Sequence, residues 1–199
     1  IPLNQNLPVY AVFEERKGRL LIGTQQGICV LDPVTDKFKK LELGDYEFAA
    51  VYTFFPTEKG LWAGSARGAY ILGDSLPALA DKNGVFLWDI RAFARDNRGR
   101  LWVASYGRGV FLVDENTLTV SDTLNSPLVN RATSLYADKD GHLWVGTQNY
   151  GLVRYDPDGE MVLISEKQGL PHNHVRAIYG DRSGNIWIAT SGGGVARYL

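Results

Sequence analysis

Apolar residues in this chain fall in short runs separated by polar turns, and the runs recur at a fixed interval. Five segments superimpose: Gly18-Arg19-Leu20-Leu21-Ile22-Gly23-Thr24, Gly60-Leu61-Trp62-Ala63-Gly64-Ser65, Gly99-Arg100-Leu101-Trp102-Val103-Ala104-Ser105, Gly141-His142-Leu143-Trp144-Val145-Gly146-Thr147 and Gly184-Asn185-Ile186-Trp187-Ile188-Ala189-Thr190. Their central large residue is Leu21 in the first and Trp in the others, spaced by 41, 40, 42 and 43 residues. Regular self-similarity at about forty residues is the mark of a repeat architecture.

Each repeat predicts a four-stranded antiparallel meander. A first apolar strand, Val175 to Tyr179 in the last repeat, leads into a polar turn such as Asp138-Lys139-Asp140-Gly141 or Asp181-Arg182-Ser183-Gly184. Gly accepts the positive φ of such a turn, and Asp bonds back to the turn backbone. The Trp strand follows, then a loop ending in Gly27, Gly68, Gly109, Gly151 or Gly194. A third strand (Leu152 to Tyr155), a turn (Asp156-Pro157-Asp158-Gly159) and a fourth strand (Met161 to Ile164) complete the unit.

The first strand separates a propeller from a linear solenoid. Its third position holds Ala11, Thr53, Ala92, Ser134 and Ala177, and the next holds Val12, Phe54, Phe93, Leu135 and Ile178. A column of small side chains suits innermost strands crowded around an axis, while Trp fills the wider gap between blades. The expected fold class is therefore all-β, a β-propeller of five four-stranded antiparallel blades. The repeats span 6–46, 47–86, 87–128, 129–170 and 171–199 as one domain. Residues 1–5 resemble the end of a fourth strand, so a closed five-bladed ring is expected slightly ahead of a fragment of a larger propeller. Closure would remove exposed edges.

Composition narrows function by exclusion. Lys+Arg is 21 and Asp+Glu is 22, a net charge of -1, which gives no electrostatic footprint for nucleic acid or an anionic membrane. No apolar run approaches the roughly 20 residues of a membrane span, so no membrane insertion is expected in this segment. A start at Ile1 is expected of a processed or excised piece. Cys29, the only cysteine, sits among apolar residues and reads as a buried strand residue, leaving no internal disulfide and no cysteine-based metal cluster. No cofactor and no metal are expected. His172 and His174 alternate without a third ligand, the mark of ordinary loop histidines.

Leu170-Pro171-His172-Asn173-His174-Val175-Arg176-Ala177-Ile178, followed by Asp181, Gly184, Ile186 to Thr190 and Gly192-Gly193-Gly194, resembles the two-component regulator propeller repeat. The fourth repeat matches through Leu143 to Thr147, Gly151-Leu152 and Arg154-Tyr155-Asp156. The resemblance runs along essentially the whole chain. The second repeat is the most divergent, with a short Ala66-Arg67-Gly68 loop and a fourth strand hard to place around Pro77. It implies the extracytoplasmic sensor part of a bacterial hybrid two-component protein, a periplasmic location, and a carbohydrate-like ligand. Sensors of that family usually carry about two seven-bladed rings, which this chain does not.

Strand direction places the loops between second and third strands on the same face as the linkers between blades. That irregular face is the expected site, because its residues vary while the blades repeat. Trp88, Tyr106 and Tyr150 offer stacking surfaces; Gln148, Asn149, Asn173, Arg108 and Arg131 offer planar hydrogen-bonding groups. Arg67, Arg108, Arg131, His172 and His174 outnumber Asp45, Glu47 and Asp89 there, a lean toward an anionic ligand. Each has a plainer role: the tyrosines as covers of neighbouring blades, the arginines as solvated charges, Asn173 as a turn former. Trp62, Trp102, Trp144 and Trp187 are core by register. A propeller glycosidase needs two facing carboxylates, and only Glu47 and Asp89 are placed for that. No acid–base pair follows, and the catalytic residues of streptogramin-type lyases find no match. The expectation is a non-catalytic sensor for an oligosaccharide or similar polar ligand. A protein-interaction platform, through a homo-oligomer or a receptor partner, is the alternative.

Overall fold

The computed structural model describes residues 7–16, 18–42, 49–72 and 87–199. The fold is all-β, a five-bladed β-propeller in which every blade is a small antiparallel sheet with its strands in chain order. Blade 1 is β1 (Val9–Arg16), β2 (Arg19–Thr24), β3 (Gly27–Asp32) and β4 (Lys37–Lys40). Blade 2 is β5 (Val51–Thr57), β6 (Gly60–Ser65) and β7 (Gly68–Ile71). Blade 3 is β8 (Ile90–Arg95), β9 (Leu101–Ser105), β10 (Gly109–Asp114) and β11 (Thr119–Leu124). Blade 4 is β12 (Ala132–Ala137), β13 (Leu143–Thr147), β14 (Leu152–Tyr155) and β15 (Met161–Ile164). Blade 5 is β16 (Val175–Gly180), β17 (Ile186–Thr190) and β18 (Gly194–Tyr198). The strands form two compact units: the first carries β1 to β7 and runs to Ile90, and the second continues from Arg91. A strand from residues 1–5 and the second blade's strand near Pro77 lie outside the described residues.

The Gly-ended turns have a common chemistry. Asp138 Oδ1 accepts from the N–H groups of Asp140 (3.0 Å) and His142 (2.9 Å), and its Oδ2 accepts from the indole N–H of Trp144 at 2.8 Å. Asp96 bonds Arg98, Arg100 and Trp102 in the same way, and Asp181 bonds Ser183, Asn185 and Trp187. Gly99, Gly141 and Gly184 take φ of 77°, 93° and 87° to close these turns, a region that penalises any side chain. One carboxylate thus fixes each hairpin and orients its indole, which in blades 3 and 4 packs against the next blade.

In the first unit, Leu21, Ile28 and Val30 of blade 1 pack on Val51, Ala63 and Tyr70 of blade 2. In the second, Trp102 meets Tyr155 edge-on at 6.1 Å, and one blade further Trp144 meets Tyr198 at 5.1 Å. Close approach near the inner strands demands small residues two positions after the Trp. A Cβ on Gly23 would lie 2.6 Å from the Val51 carbonyl, and one on Gly146 would lie 2.6 Å from Val175 Cγ1.

Trp62, Trp102 and Trp144 are buried as their register predicts, at 1%, 2% and 3% exposure, but Trp187 is 37% exposed. The difference follows from strand alternation. Ile186 and Ile188 face blade 4, where they join Trp144 and Leu152 in one core. Trp187 therefore lies on the opposite face of blade 5, under the Arg197 guanidinium at 5.9 Å and beside the exposed Tyr179 and Val195. Cys29 is buried in β3, and burial pushes its thiol pKa up, as suits a packing residue.

Candidate functional site

The loops after the second strands are held by a repeated hydroxyl clamp. Thr24, Ser65, Thr147 and Thr190 end their strands and donate to the carbonyls of Gly27 (2.8 Å), Gly68 (2.9 Å), Gly151 (2.8 Å) and Gly194 (2.9 Å). The next residue ties the loop to the linker entering the same blade: Gln25 N–H to Pro8 O and Ala66 N–H to Ala50 O in the first unit, Gln148 N–H to Arg131 O and Ser191 N–H to His174 O in the second. Gly107 N–H and Gly151 N–H reach onward to Asn130 O (2.7 Å) and Asn173 O (2.9 Å). Loops and linkers therefore share one face within each unit, as the strand order requires.

On that face of the second unit, side chains of blades 3 and 4 meet. The Tyr106 hydroxyl bonds Gln148 Oε1, which also receives Arg131 Nη1 at 3.5 Å. With its amide oriented to suit its neighbours, Asn149 donates to Gln148 O at 3.1 Å and accepts from Arg131 at 3.2 Å. The Arg91 guanidinium covers the Tyr106 ring at 5.0 Å. Tyr150 is fixed by its N–H to Thr147 Oγ1 at 3.0 Å, and the residue is 42% exposed. Arg108 N–H donates to Ser105 O at 3.0 Å, and the residue is half-buried.

The linker into blade 5 carries the remaining residues. Asn173 accepts from Glu166 N–H at 3.0 Å and donates its own N–H to Glu166 Oε1 at 2.8 Å, the turn-forming role foreseen for it. His174 N–H donates to His172 Nδ1 at 2.9 Å. Burial lowers the His174 pKa, and Arg176 and His172 add to the effect, so the imidazole is neutral near pH 7. Among the described residues no cluster of three His, Cys, Asp or Glu side chains is arranged to hold a metal.

Tyr106, Gln148, Asn149 and Arg131 are thus brought together, with Arg108 and Tyr150 on the same loops and His172, Asn173 and His174 on the adjoining linker. Trp88 is 47% exposed in the linker of the first unit. Asp45 and Glu47 lie outside the described residues. A cavity of about 480 Å³ on blade 1, lined by Arg19, Asp32, Lys39 and Lys40 among others, sits against β3 and β4 rather than at the loops.

Sequence reasoning missed Arg91 and Arg176. Each is the second residue of a first strand, the column Tyr10, Tyr52, Arg91, Thr133 and Arg176. Pairing with the second strand shifts register across Tyr10, Tyr52, Thr133 and Arg176. Such a bulge re-aims a side chain. The signal was available: this column changes character from blade to blade immediately before the constant small residue.

The two-component regulator propeller family model matches residues 89–107, 126–149 and 169–192. No curated protein matches the sequence. Among solved structures, the chain is similar to the extracellular domain of a B. thetaiotaomicron protein described as a hybrid two-component system, at 26% identity and a TM-score of 0.77, over 96% of this chain and 27% of that one. It is also similar to PorZ, a surface component of the type-IX secretion system of Porphyromonas gingivalis, at 21% identity and a TM-score of 0.70, over 96% of this chain and 32% of that one. A virginiamycin B lyase of Staphylococcus aureus aligns at 14% identity and a TM-score of 0.57, over 98% and 85% of the two chains. The last two likenesses concern fold alone, and the chain spans about a third or less of the first two proteins.

Proposed function

We propose that this chain, whose third to fifth blades carry two-component regulator propeller repeats, is a non-catalytic recognition propeller of a bacterial signalling receptor, and that it binds an oligosaccharide on the loop face of its second unit. The observation carrying this reading is the division of labour between the two ends of the blades. At the turn end the same carboxylate–indole motif recurs in blades 3, 4 and 5. At the loop end a hydroxyl clamp recurs in blades 4 and 5, and the loop side chains differ from blade to blade: Tyr106, Gln148, Asn149, Tyr150 and Ser191. A rigid frame presenting variable aromatic and planar amide groups suits a ligand that offers ring faces and hydroxyls.

Recognition without catalysis fits the chemistry of this face. Among the described residues of the second unit its side chains offer amides, guanidinia, phenols and the imidazoles of His172 and His174, and Glu166 is engaged with the backbone of Asn173. A glycosidase needs two carboxylates facing each other. The likeness to an extracellular domain of a hybrid two-component protein supports an extracytoplasmic location; among the described residues no helix is long and apolar enough to cross a membrane.

A thermal-shift screen of the purified chain against neutral and acidic oligosaccharides tests the reading. Stabilisation by one glycan class is the expected result, and a cooperative melt unmoved by any sugar refutes it. One observation favours a second reading, a protein-interaction platform: Tyr179, Trp187 and Val195 are exposed together on the far face of blade 5, at 67%, 37% and 64%. Self-association measured by sedimentation, abolished by Trp187→Glu with Val195→Lys, is the result that would support it.

A further inference from the structure

Three arginines at the turn end of the second unit pair with a carboxylate: Arg95 with Glu115 at 2.7 Å, Arg100 with Asp96 at 2.7 Å, Arg154 with Asp156 at 2.6 Å. At the loop end, among the described residues, Arg131 contacts neutral oxygens, those of Gln148 (3.5 Å) and Asn149 (3.2 Å). Arg176 reaches the Ser191 hydroxyl at 3.4 Å, and the structure gives it no carboxylate among the described residues. Both side chains are exposed.

Their backbones are fixed side by side. Arg131 immediately precedes β12, and its carbonyl is bonded by Gln148 N–H at 3.0 Å. The bulged Thr133 of β12 donates its hydroxyl to Val175 O at 2.6 Å, directly before Arg176. The bulge of β16 then turns Arg176 out of the ladder toward the loop holding Ser191. Arg91, in the equivalent place on β8, lies against Tyr106 of the same polar network. The acid closest along the linker, Glu166, is occupied by the Asn173 N–H at 2.8 Å.

We propose that Arg131 and Arg176 form an oxyanion subsite at this loop end, so that the ligand is an acidic sugar bearing a carboxylate or a sulfate. The inference rests on the oligosaccharide reading above and narrows it. A guanidinium offers a planar fork of donors that matches an oxyanion's two oxygens, and charge-assisted bonds of that kind are roughly twice as strong as neutral ones. Tyr150 supplies a face for the pyranose ring, while Gln148 and Asn149 supply amide groups for its hydroxyls. The tyrosines of the same column in the first unit, Tyr10 and Tyr52, meet at a tilt with their rings 5.1 Å apart and carry no charge, so the cationic character belongs to the second unit's own residues.

The test is calorimetric titration of the purified chain with three trisaccharides: galacturonic acid trimer, sulfated galactose trimer, and neutral galactose trimer. At least one charged trimer is expected to bind about tenfold or more tighter than the neutral one, with affinity falling as salt rises. Whichever charged trimer binds identifies the oxyanion. Arg131→Gln with Arg176→Gln should remove about tenfold of that affinity while leaving the neutral trimer unchanged, and Lys139→Gln at the turn end should change neither. Arg131→Gln alone gives the same reading at smaller amplitude if the double variant melts early. Equal binding of neutral and charged trimers, insensitive to both arginines, overturns the oxyanion subsite and leaves the oligosaccharide reading standing. Binding of none of the three, followed by no response to any sugar in the wider screen, overturns both.

Discussion

The Asp138 carboxylate accepts the indole N–H of Trp144 at 2.8 Å, joining a surface turn to the side chain that packs blade 4 onto blade 5. The same oxygen accepts from the His142 ring at 2.9 Å, and the other takes two backbone N–H groups. Removing the carboxylate with Asp138→Ala leaves a buried indole N–H unpaired. A loss of about 1–3 kcal/mol in urea unfolding is expected, the usual cost of such a group. Wild-type stability in that variant would mean that the bond is ornamental.

Acid should weaken the protein through the same motif. Burial works against the charged forms of Asp96 and Asp138, but the indole, backbone and Arg100 or His142 bonds outweigh it and hold both pKa values below the usual carboxylate range. In Asp181 the Asn185 side chain, then the Trp187 indole, hold the pKa down to about 2. Folded pKa values lie below unfolded ones, so the unfolded chain binds more protons and stability falls as pH falls. The contribution is complete above about pH 4–5 and is lost on descent toward pH 2. Melting temperatures across pH 7 to 2 check the sign; a melting temperature that rises on acidification contradicts it.

Two tryptophans of identical repeat position should differ in cost. Trp144→Ala removes a side chain that is 3% exposed and should cost about 3–5 kcal/mol by equilibrium denaturation. Trp187→Ala, at 37% exposure, should cost clearly less. Equal losses would contradict the assignment of Trp187 to the open face of blade 5.

Gly146→Val should destabilise by about 1–3 kcal/mol, as overpacking does. Its side chain would meet Val175 Cγ1 and the Ser134 hydroxyl, both on innermost strands. An unchanged unfolding midpoint would show that the blades have room to separate there.

Most of the scaffold was legible in the chain because repetition averages out local ambiguity. The strands Leu152–Tyr155 and Met161–Ile164 fall where the alternation of apolar residues puts them. Less legible was which partner each turn residue serves: Asp138 reads as a turn former, yet its second oxygen belongs to Trp144 six residues on. The buried fate of Trp187 failed because register assigns a face and not what covers it. At the site, Tyr106 and Gln148 were legible as loop residues, whereas Arg91 and Arg176 were hidden inside strands. The bulge of β16 takes Arg176 out of the ladder, and the contact with the Tyr106 ring places Arg91.

Replacing Tyr150 and Arg108 together by Ala should leave the melting temperature nearly unchanged, since neither ring nor guanidinium fills a core. Binding of a responsive oligosaccharide should weaken by about tenfold, in line with the loss of one aromatic anchor and one charge-assisted contact. Unaltered affinity in the folded double variant removes both from the site.

The central claim, that the loop face of the second unit is where ligand binds, is tested most directly by amide chemical-shift mapping with an oligosaccharide that stabilises the chain. Shifts concentrated at residues 106–108, 130–131, 148–150 and 172–176, with the turns at Asp96, Asp138 and Asp181 unmoved, are the predicted result. Shifts centred on those turns, or on the far face of blade 5, would contradict it.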